Sequence, residues 1–182
     1  LADVVIINKE NSSDKKDIEK VEKNIKEVNP EAEIIHADSV ISLEGGNERD
    51  VERKEVLVVE DGPTLTHGGM SYGAGTVAAN KFEAWDMVDP RDKAVGSIKE
   101  TYEKFDQLGK VLPAMGYGEE QVRELEETIN SIDCDLVIVG TPIDLRKLIE
   151  INKPAVRVKY ELEEKNKSLR KIIEDNKDKL DL

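Results

Sequence analysis

The chain has 182 residues, of which 37% are charged, and a formal net charge of -13 at pH 7. This length allows one domain, or one and a fraction, with a sizeable hydrophobic core. The acidic balance argues against nonspecific binding to nucleic acid or to an anionic membrane, because both surfaces repel a molecule of this charge.

The single cysteine, Cys134, excludes an internal disulfide framework and is typical of a reducing compartment. Only two glutamines occur beside abundant Glu, Lys and Ile, which favours a heat-adapted, cytoplasmic source. No stretch approaches membrane-spanning length, and the first apolar run, residues 2–7, lacks the basic segment that precedes the core of a signal peptide. The chain begins without Met, so we expect a fragment or a processed product.

Short apolar runs alternate with amphipathic stretches along the chain, a pattern typical of α/β proteins. The predicted strands are residues 4–7, 32–37, 55–59, 84–88, 109–112, 136–139 and 155–158. The predicted helices run from a cap at residues 12–14 to residue 28, and over residues 75–82, 97–105, 119–132, 144–149 and 162 to about 180. This alternation predicts a mostly parallel sheet flanked by helices on both faces, a Rossmann-like three-layer architecture.

Ligands of such sheets bind at the carboxyl ends of the strands. Unusual polar residues follow several predicted strands, and we expect them to share one cleft: Asn8, Lys9, Glu60, Asp61, Asp89, Arg91, Gly140, Thr141 and Asp144. The richest segment follows the strand that ends in Glu60 and Asp61. Residues 62–75 hold five glycines, two threonines, a serine and a histidine, and are predicted to be a loop ordered by phosphate or metal.

Three familiar motifs match this segment only in part. Residues 69–73 fit the G-x-S-x-G elbow of α/β-hydrolases, but neither histidine follows Ser71. Residues 73–78 fit G-x-G-x-x-A, although the loop before them is too long for a dinucleotide fingerprint. The strand ending in Glu60 and Asp61 resembles the acidic end of a Walker B strand, where a carboxylate holds Mg²⁺, yet no G-x-x-x-x-G-K-[ST] phosphate loop occurs in the chain.

Other residues admit a chemical and a structural interpretation. Asn8 and Lys9 match the first half of the guanine-recognition signature N-K-x-D, but Asn11 replaces the aspartate and loses the charge-assisted hydrogen bond to the base. His67 is either an acid, base or phosphate contact, or a loop-ordering residue. Arg91 is either an anion-binding guanidinium or a member of a surface ion pair. The two histidines and Cys134 lack zinc-ligand spacing.

Several segments together resemble one family: residues 60–70 (EDGPTLTHGGM), 88–91 (VDPR), 95–98 (VGSI), 111–117 (VLPAMGY) and 138–145 (IVGTPIDL). They are similar to the archaeal predicted-GTPase family related to cyclic 2,3-diphosphoglycerate synthetase, which belongs to the P-loop nucleotide-binding class. Members are about twice as long and carry the phosphate loop in an N-terminal half. The resemblance implies that this chain is a C-terminal portion, inactive without the N-terminal half of the same polypeptide.

The resemblance also implies a division of the chain and a set of ligands. Residues 1–54 would be the end of the P-loop domain, and residues 55–182 an α/β domain carrying the substrate loop. The implied cofactors are Mg²⁺ and ATP or GTP, and the implied partners are a nucleotide and a phosphorylated small molecule, with no nucleic acid or membrane. The activity would be that of a GTPase, a nucleotide hydrolase, or of a synthetase that closes the ring of a bisphosphorylated glycerate. A homo-oligomer is compatible with it.

These interpretations assign roles to individual residues. Glu60 or Asp61 would bind Mg²⁺ and, with His67 and Arg91, form the catalytic group. The predicted nucleotide contacts are Asn8, Lys9 and Asn11. The predicted phosphate or substrate contacts are Thr64, Thr66, Gly68, Gly69, Ser71, Tyr72, Gly73, Gly75, Asp89, Gly140, Thr141 and Asp144. The alternative is a non-catalytic phospholigand-binding or assembly module.

Overall fold

The computed structural model describes residues 2–176 and has the predicted α/β fold, with a mostly parallel, curled sheet flanked by helices. The strands are β1 (Val4–Ile7), β2 (Glu33–Glu44), β3 (Glu55–Asp61), β4 (Asp86–Met87), β5 (Leu112–Ala114), β6 (Leu136–Gly140) and β7 (Ala155–Glu164). The helices are α1 (Lys15–Val28), α2 (Glu48–Val51), α3 (Gly62–Gly68), α4 (Ala74–Lys81), α5 (Gly96–Lys104), α6 (Glu119–Ser131) and α7 (Leu169–Asp175). Short 3-10 segments occupy Glu10–Ser12, Arg91–Lys93 and Leu145–Lys147.

The described chain divides into two compact units. One comprises residues 2–40 and 160–176, and the other comprises Ile41–Lys159. The division at residue 54 that the sequence suggested stays a prediction.

In the unit Ile41–Lys159, β3 is the centre of a parallel sheet. It pairs with β4, β5 and β6, and β6 pairs in turn with β7. The register places Glu60 opposite Gly140 of β6 and opposite Pro113 of β5. The carboxyl ends of β3, β5 and β6 therefore meet at one edge of the sheet, because parallel strands end on the same side.

Alternate residues of β3 face two separate hydrophobic clusters. Val56 and Val58 pack with Ala78 and Ala79 of α4 on one face, whereas Leu57 packs with residues of α5 and α6 on the other. Because side chains alternate along a strand, an all-apolar run is buried on both sides. This arrangement confirms the prediction that helices cover both faces of the sheet.

In the other unit, β1 and β2 pair in parallel, with Ile7 opposite His36. Asp14 is the N-cap of α1, as the capping residues predicted. The Nδ1 atom of His36 is hydrogen-bonded to the carboxylate of Glu10, and the Nζ atom of Lys165 lies 3.1 Å from the other oxygen of Glu10. Although burial raises the pKa of Glu10, these hydrogen bonds from His36 and Lys165 lower it below its usual value.

The glycine-rich segment contains a helix that the sequence analysis missed. Residues 62–68 form α3, so the predicted loop is correct only from Gly69 onward. Asp61 is the N-cap, Pro63 lies in the first turn, and Gly69 ends the helix in the left-handed conformation with φ of 62°. An aspartate cap followed by proline is a recognised helix start and was available in the sequence.

Other boundaries also differ from the prediction. The strand predicted at residues 109–112 begins only at Leu112, because Gly109 and Val111 form a turn closed by a 2.8 Å hydrogen bond. The last predicted helix begins at Leu169, since residues 162–164 extend β7, and its predicted continuation beyond residue 176 lies outside the described residues.

In residues 2–176, no helix has both the length and the hydropathy that crossing a membrane requires.

Candidate functional site

The two acids at the end of β3 have different surroundings. Glu60 is buried, with 1% of its surface exposed, whereas Asp61 is partly exposed. Successive residues of a strand point to opposite faces, so the two carboxylates separate at this point. They therefore contact different elements.

The Glu60 carboxylate binds the N-terminus of α4. Its Oε1 atom accepts hydrogen bonds from the amide of Gly73 at 3.0 Å and from the amide and hydroxyl of Thr76 at 2.7 and 3.0 Å. Its Oε2 atom accepts from the amide of Gly75 at 3.1 Å. The first turn of a helix presents unpaired N–H groups and a partial positive charge, which favour an anion. In this structure that anion belongs to the chain itself.

Close packing at the same point depends on two glycines. A Cβ atom on Gly140 would lie 2.6 Å from Oε2 of Glu60 and 2.6 Å from the amide nitrogen of Gly75. A Cβ atom on Gly73 would also lie 2.6 Å from Oε2 of Glu60. The absence of side chains at these positions lets α4 approach the ends of β3 and β6.

Burial raises the pKa of Glu60, and the hydrogen bonds from Thr76, Gly75 and Gly73 oppose that rise. Donors contact both of its oxygens, three of them at Oε1 and one at Oε2, an environment that suits an anion. In this arrangement Glu60 is occupied by α4, and its role as a magnesium ligand stays a prediction. Among residues 2–176, no three His, Cys, Asp or Glu side chains are grouped so that they could hold a metal ion.

Asp61 caps α3 through one oxygen only. Its Oδ2 atom accepts from the amide of Thr64 at 3.2 Å and from the hydroxyl of Thr64 at 2.7 Å. The Thr66 hydroxyl donates to the carbonyl oxygen of Gly62 at 3.0 Å. Both threonine hydroxyls are thus engaged within α3, and His67 lies exposed in its last turn.

Asp61 ends β3, which pairs with β5 and β6, and its charge acts on a tyrosine that follows β5. Tyr117 follows β5, and Thr141 follows β6. Burial raises the pKa of Tyr117 and the negative charge of Asp61 raises it further, while the Thr141 side chain lowers it. Because the net pKa lies above its ordinary value near 10, the tyrosine keeps its proton at neutral pH and can donate a hydrogen bond. We call Asp61, Tyr117 and Thr141 the strand-end group.

The strand-end group is partly open to solvent. Tyr117 has 37% of its surface exposed, whereas Thr141 is buried and donates its hydroxyl to the carbonyl oxygen of Ile143 at 2.6 Å. Asp61 and Thr141 are among the site residues predicted from the sequence, whereas Tyr117 is not. The electrostatic effect of Asp61 on Tyr117 arises between residues of neighbouring strands, so the spacing in the sequence does not reveal it.

Arg91 is held by its own surroundings. Its guanidinium pairs with Asp89, donates to the carbonyl oxygens of Leu108 and Gly109, and lies 5.4 Å from the ring centroid of Tyr102. These contacts fix the turn before β5. They engage both of its terminal nitrogens, so the ion-pair interpretation describes the observed contacts, and the catalytic role stays a prediction.

The predicted nucleotide contacts lie in the unit of residues 2–40 and 160–176. The side-chain oxygen of Asn8 accepts from the amide of Lys9 at 2.7 Å, and Lys9 has a positive φ of 64°. The side chain of Asn11 donates to the carbonyl of Ser39 at 2.9 Å and accepts from its amide at 3.0 Å. Asn11 thus fastens this turn to β2, while Lys9 remains exposed.

The remaining predicted residues lie in two places. Gly68 is the exposed last residue of α3, and Gly69, Ser71 and Tyr72 are exposed between α3 and α4. Asp144 is buried after β6 and binds Arg146 through both oxygens, at 2.8 and 2.9 Å. The hydrogen bonds from Arg146 lower the pKa of Asp144 to about 2.

No protein-family model matches the chain. The chain is 60% identical over 163 residues to arginine synthetase ArcE of Thermococcus kodakarensis. That match covers 90% of this chain and 36% of the relative, so the chain spans about a third of the length of the curated relative it matches. Similarity to an archaeal protein named as a synthetase agrees with the archaeal, synthetase-like part of the sequence prediction.

Proposed function

We propose that this chain supplies part of a nucleotide-dependent synthetase that forms or binds arginine. The observation that carries this proposal is the 60% identity to arginine synthetase ArcE over 90% of the chain. Because the match covers 36% of that relative, we propose that further residues of such a protein supply the rest of the active site. The phosphate loop of the P-loop class is one of the features we expect there.

Within this chain, we assign the substrate contacts to the strand-end group. Asp61 uses one oxygen as a helix cap, and its negative charge acts with burial to raise the pKa of Tyr117, which stays protonated. A carboxylate pairs strongly with a guanidinium, and a neutral phenol donates to an oxygen atom. These two side chains suit an arginine-like substrate. The carboxylate would pair with nitrogen at the reacting end of the substrate, and the phenol would donate to an oxygen atom that this end carries during the reaction.

The finer alternatives divide between a GTPase and a synthetase using ATP or GTP. The name of the relative favours the synthetase. Mg²⁺, when bound, would neutralise phosphate charge, and the partly exposed Asp61 is the member of the acid pair that could hold it. Glu60 instead positions α4, and the chemistry of the site would come from orientation and electrostatic stabilisation.

Replacing Asp61 by asparagine tests this assignment. Asparagine caps helices as well as aspartate does, so the free energy of unfolding should change by less than about 1 kcal/mol. Removing the charge should lower turnover by about 100-fold or more, because an electrostatic contact to the reacting group is lost. Asp106→Asn, which changes an exposed acid in the turn before β5, is the control for net charge and should leave both quantities unchanged.

The assay measures arginine-dependent formation of ATP or GTP from the nucleoside diphosphate and labelled phosphate, or from the monophosphate and labelled pyrophosphate, with and without Mg²⁺, by the gene product that contains this chain. A synthetase catalyses this exchange in the reverse direction, so the second substrate need not be known. Exchange that requires arginine and is lost in Asp61→Asn supports the proposal. Arginine-independent nucleotide hydrolysis, or ligand binding without any exchange, would instead favour the GTPase or the non-catalytic binding module.

A further inference from the structure

Three cationic side chains converge beyond the end of β6. Arg146 follows the loop after this strand, and Arg157 and Lys159 lie on β7, with Arg157 opposite Val139 of β6. Residues two apart on a strand point to the same face, so Arg157 and Lys159 project together. None of the three was predicted as a site residue, because basic residues with this spacing are typical of an ordinary solvated surface.

All three cations face one carboxylate oxygen without close contact. The Oε2 atom of Glu44, at the end of β2, lies 3.7 Å from Arg146, 3.7 Å from Arg157 and 3.5 Å from Lys159. Charge-assisted hydrogen bonds between such groups are normally 2.7 to 2.9 Å long. The Oε2 atom of Glu44 therefore lies among three cations but too far from them for strong hydrogen bonds.

Two atoms of this cluster are buried and unpaired. Among residues 2–176, the Oε2 atom of Glu44 and the Nε atom of Arg157 have no hydrogen-bond partner. Buried polar atoms without partners are uncommon and costly, and an ion that is bound in the functional state is one explanation for them. The cluster therefore contains a hydrogen-bond donor, the Nε atom of Arg157, for which the described residues supply no acceptor.

Other contacts fix the cations in place. Asp144 binds Arg146 through two hydrogen bonds, and the carbonyl oxygen of Glu44 accepts from the same guanidinium at 2.8 Å. The carbonyl of Pro142 accepts from Arg157. The two guanidinium groups are therefore held in position before any ligand arrives, which lowers the entropic cost of binding.

We propose that Arg146, Arg157 and Lys159 bind a phosphate group of a small molecule, and that the Glu44 carboxylate occupies this site until the phosphate displaces it. Asp144 balances the charge of Arg146, so Arg157 and Lys159 contribute two positive charges once Glu44 has moved. A phosphate monoester carries a charge of about -1.5 to -2 at pH 7, which matches this value better than a carboxylate does. The forked guanidinium of Arg157 suits the oxygen geometry of phosphate.

This site shares no side chain with the strand-end group and does not depend on the synthetase proposal. The phosphate could belong to a nucleotide or to another phosphorylated small molecule. Both sources share the same group and the same partners. Inorganic phosphate and ATP, titrated separately, distinguish the two sources.

Isothermal titration calorimetry of the 182-residue chain at constant ionic strength tests the proposal, with inorganic phosphate, ATP and acetate as probes. Glu44→Gln removes the internal competitor and should tighten phosphate binding about five- to tenfold. Lys159→Gln removes a half-exposed cation and should weaken it about fivefold. Lys147→Gln is the matched control, because its exposed ammonium lies 3.8 Å from Asp144 and not at Glu44, and it should change the affinity less than twofold.

Saturable phosphate binding with this order of variants supports the proposal. The same order with ATP assigns the phosphate to a nucleotide, whereas binding of phosphate but not ATP assigns it to another phosphorylated molecule. The proposal is overturned if phosphate does not bind, if acetate binds as tightly as phosphate, or if Lys159→Gln and Lys147→Gln weaken binding equally. Circular dichroism of each variant confirms that the fold is retained.

Discussion

Replacing Glu60 by alanine is expected to lower the free energy of unfolding by about 3 to 4 kcal/mol. The substitution leaves the buried amides of Gly75 and Thr76 without an acceptor, and each unpaired buried group costs about 1 to 3 kcal/mol. Relief from the desolvation cost of a buried charge offsets part of this loss. Chemical denaturation, followed by circular dichroism, measures the difference.

Two further variants make the Glu60 result interpretable. Glu60→Gln keeps one oxygen but turns an amide NH2 group toward the donors of α4. We therefore expect an intermediate loss of about 1 to 3 kcal/mol in the free energy of unfolding. Glu55 is the exposed first residue of the same strand, and Glu55→Ala should change stability by less than about 0.5 kcal/mol. Equal stability of the Glu60→Ala and Glu55→Ala proteins would rule out the anchoring role of Glu60.

Gly140→Ala is expected to destabilise the fold by about 2 to 3 kcal/mol. The added Cβ would lie 2.6 Å from both the Glu60 carboxylate and the backbone nitrogen of Gly75, closer than real Cβ contacts allow. Backbone cannot yield as a flexible side chain can, so β6 or α4 must shift. That shift would also lengthen the hydrogen bonds that Glu60 accepts.

Gly118→Ala is the matched control for Gly140→Ala. Gly118 is the exposed N-cap of α6, and an added Cβ there would meet only the side chain of Gln121, at 3.5 Å. The same methyl group is thus added where space exists, and a cost below about 1 kcal/mol is expected from the change of cap. Similar losses of stability in the two variants would contradict the close packing inferred at Gly140.

The fold could be predicted from the sequence because it depends on local patterns. The run from Val56 to Val59 is apolar at every position, which indicates a strand buried on both faces, and the structure places it at the centre of the parallel sheet of its unit. The amphipathic spacing of Val122, Leu125 and Ile129 predicted α6 nearly to its ends. Helix α3 was missed because the glycines around it outweighed the cap and proline that begin it.

The sequence predicted where the candidate site lies but not the contacts of its side chains. The acids after β3 were found because polar residues follow an apolar strand, but their separate roles depend on contacts across 13 to 16 positions, such as that of Glu60 with Thr76. The pattern of small residues at the start of α4 indicated an anion-binding helix terminus. It could not indicate that the anion is a side chain of the same chain.

Amide hydrogen exchange at Gly75 and Thr76 tests most directly whether the N-terminus of α4 is filled by Glu60 or left open for a ligand. NMR on the ligand-free chain should show slow exchange at both amides, and exchange should become faster in Glu60→Gln with the rest of the fold retained. Unprotected exchange in the ligand-free chain, followed by protection only when phosphate or a nucleotide is added, would contradict the assignment of Glu60 as the bound anion.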